Sequence, residues 1–340
     1  DIELCDVDSA LDRVLAEDVV SPINVPGFDN SAMDGYAIRH QDLSSAKTFN
    51  LVGKSFAGNP FNGELGKHQC VRIMTGAQIP EGADAVVMQE NTVANNNEIT
   101  VTHSVKLGEA IRIAGSDIAK KSIVLSKGKR LNAIDIGLLA SIGISNVPVL
   151  HKLKVALFST GDELLQPGDT PQQGKIFDSN RPMLRAMLRR LGAEVLDLGV
   201  IEDDPDKIRD AFIQADANAD CVITSGGVSV GEADYTREIL EEIGQVDFWK
   251  LAIKPGKPLA FGRLDNSLFF GLPGNPVSAA VTFDQIAAPS LSLLAGCTPE
   301  GKIAVKAIAK NKFKKKPGRT DYQRAVCFRD DNGQLIVDSG

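Results

Sequence analysis

At 340 residues the chain exceeds what one hydrophobic core organises, so at least two domains are expected. Hydrophobic residues at 43% and charged residues at 24% fit an ordinary globular protein, and no apolar run is read as approaching the roughly 20 residues of a membrane span. A formal net charge of -7 excludes general affinity for nucleic acid, whose phosphates demand a basic surface.

In chain order, residues 9–15 read as a short helix, and 21–121 as turn-rich, mainly β text with strands at 71–74 and 85–89. A helix over 132–142 links this region to the second half of the chain. From Leu153 onward β-rich runs alternate with amphipathic helices, the pattern of a doubly wound, mostly parallel α/β core. Strands fall at 154–159, 195–198, 221–224, 248–253, 259–261 and 267–272. The segment after Asn180 reads as a helix, with Leu184, Met187, Leu188 and Leu191 at helical spacing, and stops at Gly192. Asp204 and Pro205 cap a second helix, residues 234–243 make a third, and 277–287 a fourth that closes at Pro289. Residues 302–340 read as an incomplete β-barrel-like domain.

The five cysteines (Cys5, Cys70, Cys221, Cys297, Cys327) show no CxxC spacing, and His40, His68, His103 and His151 are isolated. A zinc or dithiol centre is therefore excluded, and any metal should be hard and oxygen-bound. The acidic opening lacks the basic start and apolar stretch of a signal peptide, so a cytoplasmic setting without membrane attachment is expected.

Open α/β sheets bind ligands beyond the carboxyl ends of their strands, so the residues following each strand are the informative ones. Glu163 follows the first strand, Asp203 the second, and the SGGVSVG loop with Gly226, Gly227, Val228 and Ser229 the third. Glycines there would turn sharply and expose amides ahead of a helix, a cradle for phosphate. The loop lacks the GKS/T ending of a nucleotide-triphosphate loop and does not match GxGxxG. Lys250, Lys254 and Lys257 surround a proline-stiffened KPGKP turn, and Pro273, Gly274 and Pro276 form another turn, LPGNP. Glu163, Asp203 and Asp234 at one edge would repel unless a divalent cation such as Mg²⁺ shared them. Of the adjacent pair, Asp204 is assigned to capping and Asp203 to the site.

Before the core, FDNSAMDGYA with Asp34, the end of RIMTGA with Thr75, and GSD with Asp117 read equally well as turn chemistry. The strings PGFDNSAMDGYA, RIMTGA, STGDEL, SGGVSVGEADY, IKPGKP and GLPGNPVSA, in this order across nearly the whole chain, together resemble the MoeA/gephyrin family of molybdopterin molybdenumtransferases. The resemblance implies four-domain subunits forming a homodimer: a linking and dimerisation domain from 1–20 and 122–152, a mainly β domain at 21–121, an α/β domain at 153–301 related to molybdopterin adenylyltransferase, and a C-terminal β domain at 302–340. It further implies a Mg²⁺-assisted reaction of adenylylated molybdopterin with molybdate, giving molybdenum cofactor and AMP. Asp34, Asp117, Glu163, Asp203 and Asp234 would be its functional acids, Thr75 would stand beside them, Lys250 and Lys254 would bind anions, and Pro273 and Pro276 would border the pterin.

Within this family the cleft is completed by the second subunit, and other cofactor-biosynthesis proteins are possible partners. Two rival readings stand beside it: the adenylyltransferase step, against which the β region counts, and a gephyrin-like protein-binding scaffold. The basic run at 310–319 reads as a solvated hairpin or as an aid in drawing in anionic substrate.

Overall fold

The computed structural model describes residues 1–226, 235–298, 301 and 303–339. The chain's first residues are fixed by partners far along it: Ile2–Asp6 pairs antiparallel with Asn146–Leu150, and Val19–Val20 with Ile123–Leu125. Their shared core includes Val7, Leu15, Val19, Leu125, Leu131, Leu139 and Val149. Helix Ala133–Ser141 lies here, started by a reciprocal capping box between Asn132 and Asp135.

The helix expected over 9–15 is absent. A short 3-10 turn, Val7–Ser9, gives way to a left-handed Asp12, and Leu15 bridges Val149. The backbone N–H groups of Asp12 and Leu15 donate to the carbonyls of Leu131 and Lys129, so tertiary pairing overrides a weak helical pattern.

Residues between these halves form a six-stranded sheet in the order Ala85–Met88, Gly35–Ile38, Gln69–Ile73, Thr48–Ser55, Glu98–Val101, Thr92–Asn95. Alternate residues such as Tyr36, Ile38, Cys70, Ala85 and Val87 build its core.

The α/β unit runs β1 (Lys154–Thr160), α1 (Asn180–Arg190), β2 (Glu194–Ile201), α2 (Pro205–Asn218), β3 (Cys221–Ser225), α3 (Tyr235–Ile243), β4 (Gly244–Lys250), β5 (Pro258–Leu264), β6 (Leu268–Leu272) and α4 (Pro276–Thr282). Its sheet order is β2-β1-β3-β6-β5-β4. The pairings from β2 to β6 are parallel and those on either side of β5 antiparallel, so every strand but β5 points the same way. Val155, Leu157, Cys221 and Ile223 face α1 and α4 on one side, while Ala156, Phe158 and Val222 face α2 and α3 on the other. Phe212 of α2 packs edge-on against Phe158 at 5.0 Å and Phe269 at 5.6 Å between ring centroids.

Two expectations need correction here. The strand expected at 248–253 is split into β4 and the short Ile253–Lys254, because the chain turns where the Leu251 N–H donates to the Lys257 carbonyl. The helix from Pro276 also does not close at Pro289. It continues through a π-helical turn, Phe283–Ala287, to Leu294, and that wider turn contains Gln285, the residue whose carbonyl an amide at 289 would have bonded. The resulting 19-residue helix is apolar and long enough to cross a membrane by length and composition, contrary to the expectation that no run approaches that length. Ala279, Phe283, Ala287 and Leu291 instead pack it against the sheet.

Beyond it, Ile308–Ala309, Leu335–Asp338 and Val326–Arg329 form a three-stranded sheet. Thr320–Asp321 pairs with Ile253–Lys254, laying this last region against the lysine turn.

Candidate active site at the carboxyl edge of the sheet

Because β2, β1, β3, β6 and β4 run in one direction, the loops after them emerge on one edge. With neighbouring strands about 4.8 Å apart, the five steps from β2 to β4 span roughly 24 Å. Acidic residues occupy one end of this line, glycine loops the middle and lysines the other end.

At the acidic end the loops after β1 and β2 are stitched together. The Asp203 N–H donates to the Asp162 carboxylate at 3.1 Å, and the Asp162 N–H to the Asp203 carboxylate at 3.4 Å. Gly161, at φ +142, lies under Glu163, whose carboxylate would be 2.5 Å from a Cβ placed there. Only glycine lets Glu163 fold back over the loop. Burial, then the charges of Asp162 and Glu163, raises the Asp203 carboxyl above its ordinary value, against a backbone hydrogen bond from Asp162 that lowers it. Glu163 and Asp203 therefore do come together, and their oxygen donors and mutual repulsion fit a hard divalent cation. Asp234, the third expected ligand, lies outside the described residues, and no group of three His, Cys, Asp or Glu suited to a metal occurs among the described ones.

In the middle, Gly226 stands at φ +93 and its N–H donates to the Leu272 carbonyl at the end of β6. A Cβ on it would lie 2.9 Å from the Thr160 carbonyl, so three strand ends meet at this glycine. Gly227, Val228 and Ser229, the rest of the expected cradle, lie outside the described residues. Pro273 and Gly274 follow β6 directly, and Pro276 opens α4 behind Asn275, whose side chain accepts from the Val277 and Ser278 N–H groups.

At the far end Lys250, Lys254 and Lys257 are all exposed. The close approach of Gly256 to Thr282 Oγ1 and the Ser278 carbonyl seats the KPGKP turn on α4, beside the LPGNP turn. The Tyr322 N–H donates to the Lys254 carbonyl at 2.8 Å. A groove of about 590 Å³ beside Lys254 is lined by Lys312, Lys314, Lys315, Lys316 and Arg319, so the basic run forms a concave cationic wall.

The remaining expected residues sit in the β unit. Asp34 Oδ1 accepts both the Thr75 N–H and the Thr75 hydroxyl at 2.8 Å, and these two bonds, with Arg72 nearby, hold its carboxyl below the ordinary range. Asp117 pairs with Arg112 instead. Among the described residues the hydrogen bonds of Asp34, Thr75 and Asp117 stay within the β unit.

Sequence reasoning passed over two residues. Asp162 lay inside a quoted loop, and its place next to Glu163 was the available signal. In the sequence Asn180 only marks the point after which a helix is expected, yet it is buried and its Nδ2 donates to Ser225 Oγ and to the Gly274 carbonyl, both at 2.7 Å.

Comparisons with known proteins follow the same division of the chain. Residues 1–143 match the family profile described as MoeA N-terminal region (domain I and II), and residues 156–292 the one described as Probable molybdopterin binding domain. A molybdopterin molybdenumtransferase of Haemophilus influenzae is 50% identical over 339 residues, 99% of this chain and 84% of that one. One from Staphylococcus epidermidis is 37% identical over 98% of this chain and 81% of its own length. A crystal structure of the molybdopterin biosynthesis MoeA protein from Pyrococcus horikoshii OT3 superposes with a TM-score of 0.83 at 30% identity, covering 99% of this chain and 84% of that one.

Proposed function

The chain belongs to the MoeA family of molybdopterin molybdenumtransferases, and from that premise we propose that its sheet edge joins molybdate to adenylylated molybdopterin with release of AMP. The observation that carries the assignment of the site is the order of groups along the edge: acids at β1 and β2, glycine turns at β3 and β6, lysines after β4. An elongated anion with a phosphoanhydride at its middle matches that order. The glycine-rich loop that Gly226 opens would hold the phosphate, the Pro273–Pro276 turn borders the pterin, and Lys250 and Lys254 hold molybdate by charge. Lys257 adds to that charge.

Glu163, Asp203 and Asp234 would hold Mg²⁺, which when bound supplies Lewis-acid stabilisation of charge on the departing AMP. Asp34, Thr75 and Asp117 reach an edge across a homodimer in this reading, which is supported by their described hydrogen bonds all staying within the β unit. Exposed Ile2, Leu4, Leu11 and Ile134 in the unit that gathers both halves of the N-terminal region support such an interface. All five cysteines are unpaired, which suits the reducing cytoplasm. Partners in cofactor synthesis would deliver the activated pterin.

The test supplies adenylylated molybdopterin, molybdate and Mg²⁺ to the purified protein and measures AMP and active cofactor. Both should appear together, and AMP should fail to appear when Mg²⁺ is chelated. Absence of both products from a folded dimer would refute the assignment.

A further inference from the structure

We propose that Asn180 is a positioning residue that sets the spacing between the phosphate-holding loop after β3 and the pterin-bordering turn after β6. The inference rests on the function proposed above for that edge. Both hydrogens of its carboxamide are spent across the strand ends, on Ser225 Oγ and on the Gly274 carbonyl at 2.7 Å each. Asn at a helix start ordinarily caps, using its oxygen to accept the N–H groups of the first turn. Here Oδ1 is buried without a partner among the described residues, and the residue before it, Ser179, makes no side-chain cap either. The side chain is therefore turned away from its own helix and toward the site.

The segment that carries Asn180 is held hard. Asp178 accepts the Arg181 N–H and Nε at 3.1 Å each, and Arg181 Nη1 reaches both carboxylate oxygens of Asp197 on β2 at 2.9 Å. Arg185 adds a bond to the same carboxylate at 2.8 Å. Asn180 is only 7% exposed and flanked by this ion network, so it acts as a fixed peg driven between two loops that belong to different strands. The lysine turn lies beyond β6 and takes no hydrogen bond from it. Disturbing the peg should consequently affect one substrate and spare the other.

The experiment compares wild type, Asn180→Asp and Ser225→Ala. The aspartate is nearly the same shape, but it replaces the donor with an oxygen that repels the Gly274 carbonyl; the alanine removes one of the two bonds. AMP release is followed at varied adenylylated molybdopterin and at varied molybdate, with thermal unfolding as the reference for folded fraction. Asn180→Asp should raise KM for the activated pterin at least tenfold while KM for molybdate stays within twofold, and Ser225→Ala should shift the former about threefold. Hydrogen exchange of peptides containing Gly226 and Gly274 should quicken together in both variants. Equal shifts in the two KM values, or losses matching the unfolded fraction, would overturn the proposal. Should Asn180→Asp not fold, the Ser225→Ala pattern decides. Inactive wild type would count against the proposed reaction, and exchange at the two loops would still judge Asn180 by itself.

Discussion

Asp162 and Asp203 each accept the other's backbone N–H through their carboxylates, so two loops from adjacent parallel strands are closed by a reciprocal pair of hydrogen bonds. The arrangement holds two negative groups together, with Glu163 beside them, and this has a measurable consequence for the metal.

Because the Asp203 carboxyl is raised, first by burial and then by its acidic neighbours, the native protein binds that proton more tightly than the unfolded chain does. Stability from this group is therefore greatest at low pH and falls as pH rises from the ordinary aspartate value of about 3.9 through the raised native one. Without divalent cations at pH 7, Asp203→Asn should match or slightly exceed wild type in stability, the gain being kept small by solvent screening of this exposed group. Mg²⁺ should raise the melting temperature of wild type and not of the variant. Calorimetry at pH 4 and pH 7 with and without Mg²⁺ checks both statements, and a variant clearly less stable at pH 7 would reverse the sign argued here.

Gly226→Ala must place a methyl group 2.9 Å from the Thr160 carbonyl at a φ of +93. The strain should cost roughly 1–3 kcal/mol in unfolding free energy, visible in a urea melt. Activity should fall by more than tenfold, since the backbone at the junction of β1, β3 and β6 must shift. A variant with normal kcat/KM would show that the cradle tolerates this shift.

Thr75→Val removes the hydroxyl bond to Asp34 and keeps the backbone one. The Asp34 carboxyl, depressed first by the Thr75 N–H and then by the hydroxyl, should titrate closer to the ordinary range in this variant. Sign follows from the depression: the contribution is present above the unfolded value and disappears as pH falls through the lower native one. Carbon-detected NMR of the Asp34 carboxyl reads the titration directly. If Asp34 acts across a dimer, turnover should drop severalfold, beyond what any small fall in melting temperature explains.

Arg181→Met leaves Asp178, 2% exposed, without its cation. Breaking a buried pair in this way costs about 3–5 kcal/mol, far more than a surface ion pair would. Burial, the largest single influence, would raise the Asp197 carboxyl, but the Arg181 hydrogen bonds, the Gly199 N–H and the charges of Arg181 and Arg185 together outweigh it and the net shift is downward. The stabilisation is thus complete above the ordinary carboxylate range and is lost on acidification below it. Denaturant midpoints at pH 7 and pH 3 should differ between wild type and variant mainly at the higher pH.

How much of this could be read from the chain divides along physical lines. Strands β1 to β3 were legible as short β-rich runs, continuous in β1 and β3 because both faces are buried, helices α1 and α2 because one buried face imposes a helical period, and Asp204 and Pro205 mark a helix start without ambiguity. Glu163, Asp203, Gly226 and the two proline turns were legible as strand-end residues, since topology alone delivers them to one edge. Failures came where long-range pairing decides the outcome. Residues 9–15 look helical until Leu131 and Lys129 claim their amides, and Pro289 looks like a stop until the turn before it widens. Asn180 escaped notice for a related reason: a polar residue at a helix start has an adequate local explanation, and only the positions of Ser225 and Gly274 show that the explanation does not apply.

The pairing of Ile2 with Leu150 also fixes an order of events during synthesis. At roughly 5–20 residues added per second, the first strand waits on the order of ten seconds before its partner leaves the ribosome. The six-stranded sheet between them contains its own partners and can close in that interval. What emerges earlier is therefore finished later, and Ile2, Leu4 and Val7 must stay unaggregated meanwhile, a burden that the acidic residues Asp1, Glu3, Asp6 and Asp8 interleaved among them are well suited to carry.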